Sequence, residues 1–304
     1  VSSAAARLAR VLLGAGAKRV AFLGLAKNAG KTTALVATLR ELHALGVPAG
    51  ATSVGRDGED FDALTGDPKP RFRFEAGQLA ASAETTFDGA SLAATPLERL
   101  PFSTRFGRVA IGRVDRAGEI EMIGPTTVSQ TAETAAALER HGARIVLLDG
   151  AFGRRAFASA RVADGIVLAA GMSAGGTIES ALARARSAVE LVTLPAPARG
   201  ATVRRFEGAL TDEIVHEAAP RPGETLAARD FASIFLSDPE RIRLRELEIA
   251  LAVENPARLL AVTANPTAPG RSPKPAAEFF EALRSVVPAA TPLFDLEAGL
   301  VRGA

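Results

Sequence analysis

Lys27 and Lys31 stand in one short run, Gly24-Leu25-Ala26-Lys27-Asn28-Ala29-Gly30-Lys31-Thr32-Thr33. The chain has five lysines among 36 basic residues, so two of its scarce ammonium groups fall in a single loop. An apolar stretch, residues 20–23, precedes the loop, and a helical pattern follows it. The chemistry this order suits is the grip of a polyphosphate. Successive backbone N–H groups of a small-residue loop can turn inward on an anion, and the next helix adds the positive end of its dipole. Lys31 would reach the β- and γ-phosphates, and the Thr32 hydroxyl would ligate Mg²⁺. Gly30 lets the backbone approach where a Cβ would collide with phosphate oxygens. Gly24, Lys27, Asn28, Ala29 and Thr33 complete the expected nucleotide-binding set around Gly30, Lys31 and Thr32.

Two acids are placed to serve the same ligand. Asp149 ends the apolar run of residues 143–149, the position of the Mg²⁺-side acid in a phosphoryl-transfer site. Asp57 lies in the dense acidic loop of residues 52–62, with Glu59, Asp60 and Asp62 beside it. Lys31, Asp57 and Asp149 form the expected catalytic set, with Thr32, Asp57 and Asp149 on the metal. The competing roles are a strand-end cap for Asp149, and a solvated turn with a helix cap at Asp60 or Asp62 for the acidic loop. Asn265 follows another apolar strand and precedes Pro266, so its amide reads either as a base-recognising group or as a turn former. Arg154 and Arg155 offer guanidinium groups to a phosphate or to solvent. His43, His141 and His216 show no metal-ligand spacing.

The elements that must position these residues alternate. A strand at 20–24, a helix from Thr32 to about Leu45 and a strand near 48–54 are followed by a strand at 143–149, another at 165–170 and another from Leu259. Alternation of this kind predicts an α/β fold with a mainly parallel sheet flanked by helices, and ligands at the carboxyl ends of the strands. Residues 4–17 read as an amphipathic helix, with a targeting peptide as the competing assignment. Residues 66–130 break the alternation. They predict an inserted β-rich region with a hairpin of 108–114 against 119–123. The segment 203–210 continues the alternation, and 244–253 reads as a helix. A single domain spanning 1–304 is expected.

Composition narrows the rest. With no cysteine, disulfides and thiolate metal sites are excluded. No run of about 18 apolar residues is present, so no membrane span is expected, and cytoplasmic location is the default. A net charge of +2 with no Trp or Tyr gives little purchase for nucleic acid.

The loop departs from the standard P-loop spacing, because Leu25 stands where a glycine is usual and Gly24 precedes it. That offset resembles dethiobiotin synthetase and the cobyrinate amidating enzymes, in a P-loop NTPase class where some members carry an extra lysine contacting phosphate across a dimer; Lys27 is one position from it. More specifically, residues 24–33, 52–59, 69–72, 124–130 and 149–159 resemble the P-loop subunit of the reactivating factor for lysine 5,6-aminomutase and ornithine aminomutase. The likeness covers roughly the first 180 residues. It implies ATP and Mg²⁺ as cofactors, ATP hydrolysis that drives damaged cofactor out of an adenosylcobalamin-dependent aminomutase, and a homodimer as in many relatives. The other reading is an ATP-dependent ligase resembling dethiobiotin synthetase, with Lys69, Arg71 or Arg154 facing its substrate.

Overall fold

A computed structural model describes residues 3–54, 71–174, 177–267 and 275–303. The chain opens with α1 (Ala4–Gly14), β1 (Arg19–Gly24), α2 (Lys31–Ala44) and β2 (Ala49–Ser53). A β-rich stretch follows: β3 (Phe72–Phe74), β4 (Leu79–Ala83), the short α3 (Glu84–Asp88), β5 (Ala93–Thr104), β6 (Gly107–Arg116) and β7 (Gly118–Ile120). Alternation resumes with α4 (Val128–Arg140), β8 (Ile145–Ala151), β9 (Gly165–Gly171) and α5 (Ile178–Val192). Then come β10 (Thr202–Phe206), β11 (Leu210–Thr211), α6 (Asp212–Ala218), β12 (Glu224–Ala228), β13 (Ile234–Phe235), α7 (Asp238–Glu246) and β14 (Ala250–Val253). The chain closes with β15 (Leu259–Asn265), α8 (Ala276–Arg284), β16 (Leu293–Asp295) and β17 (Leu300–Arg302).

One large sheet carries the order β17-β16-β15-β9-β1-β8-β2-β4-β6-β5. From β16 to β4 every neighbouring pair is parallel; β17, and β6 against β4 and β5, are antiparallel at the edges. The fold is therefore α/β with a large, mostly parallel sheet. Its central strands are apolar almost without interruption because both faces are covered. Alternate residues divide between the two faces. Val20 and Phe22 pack with α1 and α2 through Leu8, Leu12, Leu35 and Leu39. Ala21 and Leu23 share the opposite core with Leu138, Val189, Phe279 and Leu283 of α4, α5 and α8. The amphipathic segment near the start of the chain is α1, with Leu8, Ala9 and Leu12 turned inward.

Three departures from the sequence reading are instructive. The hairpin is β5–β6, not 108–114 against 119–123; β7 pairs instead with β3. Pro96 and Pro101 disguise β5, yet it is an edge strand with shifts of register, where a missing N–H is tolerated. The β-rich stretch also extends the main sheet through β4, β6 and β5 rather than standing apart from it. Finally, 244–253 is not one helix. α7 stops at Glu246, Glu248 takes a left-handed φ of +55°, and β14 begins at Ala250.

β10, β12 and β14 make a second, three-stranded parallel sheet with its own apolar cluster of Leu210, Val215, Leu226, Ile234 and Leu244. Phe152 is half-buried and touches both this cluster and the main core.

Candidate functional site

The expected site residues gather where the parallel strands end. Gly24 ends β1, Asp149 lies near the end of β8, and Asn265 ends β15. The loop after β1 is held from beneath: Leu25 N–H donates to the Ala169 carbonyl of β9 at 3.0 Å, and the Ser173 hydroxyl donates to the Lys27 carbonyl at 2.5 Å. Gly171 ends β9 directly under Ala29. A Cβ there would lie 2.7 Å from the Ala29 Cα, so only glycine admits this approach.

Asn28 and Gly30 both take positive φ, +58° and +83°. These left-handed turns swing the backbone into α2, whose N-cap is Gly30. Asn28 tolerates the conformation better than most side chains do. Gly30 has a second constraint, because a Cβ would meet the Asn265 side chain at 3.0 Å. The N-terminus of α2 receives no side-chain cap, as at α3 and α8, whereas α1, α4, α5, α6 and α7 are each capped by a Ser or Thr hydroxyl. The first N–H groups of a helix have no intrahelical acceptor. At α2 they are free of side-chain competition and close to Lys31, Thr32 and Thr33. Thr33 is exposed and Thr32 half-buried.

Lys31 Nζ lies 2.5 Å from Asp149 Oδ2. The Asp149 side chain is only 6% exposed, and its other oxygen, Oδ1, is buried with no hydrogen-bond partner. A buried carboxylate with one oxygen unmet is costly, on the order of 1–3 kcal/mol. It is also what a hard divalent cation requires, directly or through water. Asp149 is therefore the described side chain here that could hold a divalent cation. Among the described residues no group of three or more His, Cys, Asp and Glu side chains forms a self-sufficient metal site.

Asn265 has its amide engaged. Nδ2 donates to the Asn28 carbonyl at 3.0 Å, and Oδ1 accepts from the Thr267 N–H and hydroxyl. It braces the loop and shapes its own turn. Lys27 is an exposed loop residue. Asp57, Glu59 and Lys69 lie outside the described residues. His141 faces Glu98 and His216 faces Glu240, so both histidines have carboxylate partners rather than metal-ligand neighbours.

Sequence reading missed two residues of this region. Thr263 of β15 and Asp295 of β16 are both buried, and each has an oxygen without a partner, Oγ1 and Oδ2. They line a cleft that also touches Gly30 and Thr33. Neither belongs to a contiguous motif; β15 and β16 are neighbours, but their register sets Thr263 against Phe294 and Asp295 against Ala264, so the two side chains leave opposite faces of the sheet.

Arg155 follows the Asp149 strand into the seam with the second sheet. It donates to the Ile234 carbonyl and sits over the rings of Phe152 and Phe235, 5.2 and 4.7 Å from their centroids. Burial pulls its pKa below the ordinary arginine value, and the nearby Arg241 adds to the shift.

No protein family, no curated protein and no solved structure matches this chain. No helix among the described residues is long and apolar enough to cross a membrane.

Proposed function

We propose that this protein is a P-loop NTPase that binds ATP with Mg²⁺ and hydrolyses its terminal phosphoanhydride bond. The observation that carries the reading is the Lys31–Asp149 pair at the mouth of a loop whose helix end lacks a side-chain cap. Without a ligand, each charge is neutralised by the other. A triphosphate offers Lys31 a stronger, multiply charged partner, and α2 a ligand for its N–H groups. Asp149 would then be free to hold Mg²⁺ together with Thr32. The metal would supply charge neutralisation between phosphate oxygens, while the loop holds the chain of phosphates in line.

We further propose that hydrolysis drives a conformational change in a protein partner, an adenosylcobalamin-dependent aminomutase. The motifs at 24–33 and 149–159 support this reading through their likeness to the reactivating factor. Arg155 gives it a physical route, because the segment after Asp149 bonds to β13, whose Ile234 belongs to the apolar cluster beside the second sheet. Calorimetry with MgATP, followed by phosphate release with and without such a mutase, tests it. Binding lost in Lys31→Ala, with release stimulated by the mutase, is expected. Turnover that instead requires a small carboxylic acid would overturn the partner reading in favour of the ligase.

A further inference from the structure

A cavity of about 400 Å³ opens between the end of α5, the last turns of α7 and the start of β14. Small-molecule sites run from about 300 to 1,000 Å³. None of its lining residues is among those of the phosphate loop. Its apolar wall is Leu191 and Leu194 at the end of α5, with Ile249 and Leu251 at the start of β14. Leu191 and Ile249 are buried in the cluster of the second sheet, and Leu194 and Leu251 pack against that cluster while partly exposed. Four charged residues line the rest: Arg241, Arg245, Glu190 and Glu248. Arg241 is anchored, with its side chain 8% exposed and its terminal nitrogens bonded to Ser187, Asp238 and Glu190. Arg245, one turn further along α7, is 69% exposed and meets Glu190 at 3.5 Å, the outer limit of a hydrogen bond. Glu248 stands in left-handed backbone, φ +55°, where glycine is the usual occupant after a helix. A side chain held there costs stability, and its carboxylate makes no ion pair among the described residues to offset the cost. The Glu248 N–H donates to the Arg245 carbonyl at 3.1 Å. Opposite charges therefore stand three residues apart at one turn, both lining the cavity, without pairing to each other.

We propose that this cavity binds a zwitterionic α-amino acid with an apolar side chain. The lining carries two charges of each sign, which suits a ligand bearing both rather than a plain anion or cation. The ligand carboxylate takes Arg245, whose hold on Glu190 is long, with the anchored Arg241 behind it. The ammonium group has donors only and needs an acceptor, which the Glu248 carboxylate supplies. In an α-amino acid the two groups leave the same carbon, so they match opposite charges brought together at one turn. The side chain lies on Leu191, Leu194, Ile249 and Leu251, where burial is favourable in proportion to its apolar area. The strained Glu248 backbone then has a reason: glycine would relieve it but remove the ammonium's partner.

The test is calorimetry on the full chain with L-leucine and L-phenylalanine, each beside its counterparts of single charge. Those are 4-methylpentanoate and 3-methylbutylamine for leucine, and 3-phenylpropanoate and 2-phenylethylamine for phenylalanine. At least one amino acid should bind, and both of its counterparts should bind about tenfold or more weakly, the scale of a lost hydrogen bond to a charged group. Glu248→Gly should weaken the amino acid by a similar factor while the midpoint of urea unfolding holds or rises, because glycine takes the positive φ without strain. Arg245→Gln, at an exposed position, should weaken it likewise, and it serves if the glycine variant fails to fold. Binding of neither amino acid overturns the proposal. A carboxylate counterpart that binds as tightly as its amino acid also overturns it, and leaves a site for plain anions. Wild-type affinity in both variants does the same.

Discussion

The ends of the central strands and the small β10–β12–β14 sheet handle polar groups in opposite ways. Around the second sheet most charges are matched: Arg204 with Glu224, Arg205 with Glu254, Arg243 and His216 with Glu240, and Arg241 with Asp238 and Glu190. The buried atoms left over there are single guanidinium N–H groups, on Arg155, whose Nη2 is bonded, and on Arg241, whose Nη1 and Nη2 are bonded. At the strand ends of the main sheet the unmet atoms include the oxygens Asp149 Oδ1, Thr263 Oγ1 and Asp295 Oδ2, beside the Arg302 Nε at the end of β17. Satisfied networks add stability, whereas unmet acceptors forgo it. The difference separates a region whose charges are matched within the chain from one that leaves carboxylate and hydroxyl oxygens unmatched among the described residues.

The largest effect expected from breaking this contrast is at Lys31. Lys31→Ala should lower affinity for MgATP and for tripolyphosphate by at least about 100-fold, the scale of a charge-assisted contact, read by calorimetry. It also strands the buried Asp149 carboxylate, so stability should fall by about 3–5 kcal/mol. Lys31→Met combined with Asp149→Asn should recover much of that stability in urea unfolding while binding stays lost. If the double variant binds tripolyphosphate normally, the pair has no role in phosphate recognition.

Asp149→Asn alone comes next. Phosphate release should drop about 100-fold, and the Mg²⁺ concentration for half-maximal rate should rise. Unchanged Mg²⁺ dependence would remove Asp149 from the metal site. Asn265→Ala should be milder. Losing the bond to the Asn28 carbonyl loosens the left-handed turn, and both ATP and tripolyphosphate should weaken about fivefold, the scale of one net hydrogen bond. Loss for ATP alone would return Asn265 to base recognition.

The smallest effect should appear on the satisfied side. Hydrogen bonding from Arg243 holds the Glu240 carboxyl below the ordinary glutamate range against the opposing effect of burial, and His216 assists. A depressed carboxylate pKa stabilises the folded state above the unfolded value of about 4.3, and that contribution is lost as pH falls through the folded value. Glu240→Gln should therefore cost about 1–2 kcal/mol at pH 7, with the gap to wild type closing below pH 4. Phosphate release should not change. A large loss of release in this variant would show that the second sheet takes part in catalysis.

What could be read along the chain, and what could not, follows from distance in sequence. The phosphate loop is ten contiguous residues, and its small side chains, lysine and helix start all act within two turns of backbone. Apolar runs buried on both faces announced the central strands in the same way. Local signals failed where a residue took an unexpected role. Glu248 occupies the left-handed position that glycine usually marks after a helix, and the Ile249 N–H closes back on the Leu244 carbonyl at 2.9 Å. With no glycine to end it, the helix seemed to run through Val253.

The sequence by itself determined an α/β chain with a Gly-Lys turn between a strand and a helix and an acid at a strand end, because those features depend on neighbours in the chain. Only the tertiary structure decided which partners the side chains have. It set Asp149 against Lys31, tied the Asn265 amide to the loop, and placed Thr263 against Phe294 and Asp295 against Ala264 on neighbouring strands. Strand pairing brings distant residues within bonding reach, and no local pattern records which of their atoms will be left unmet.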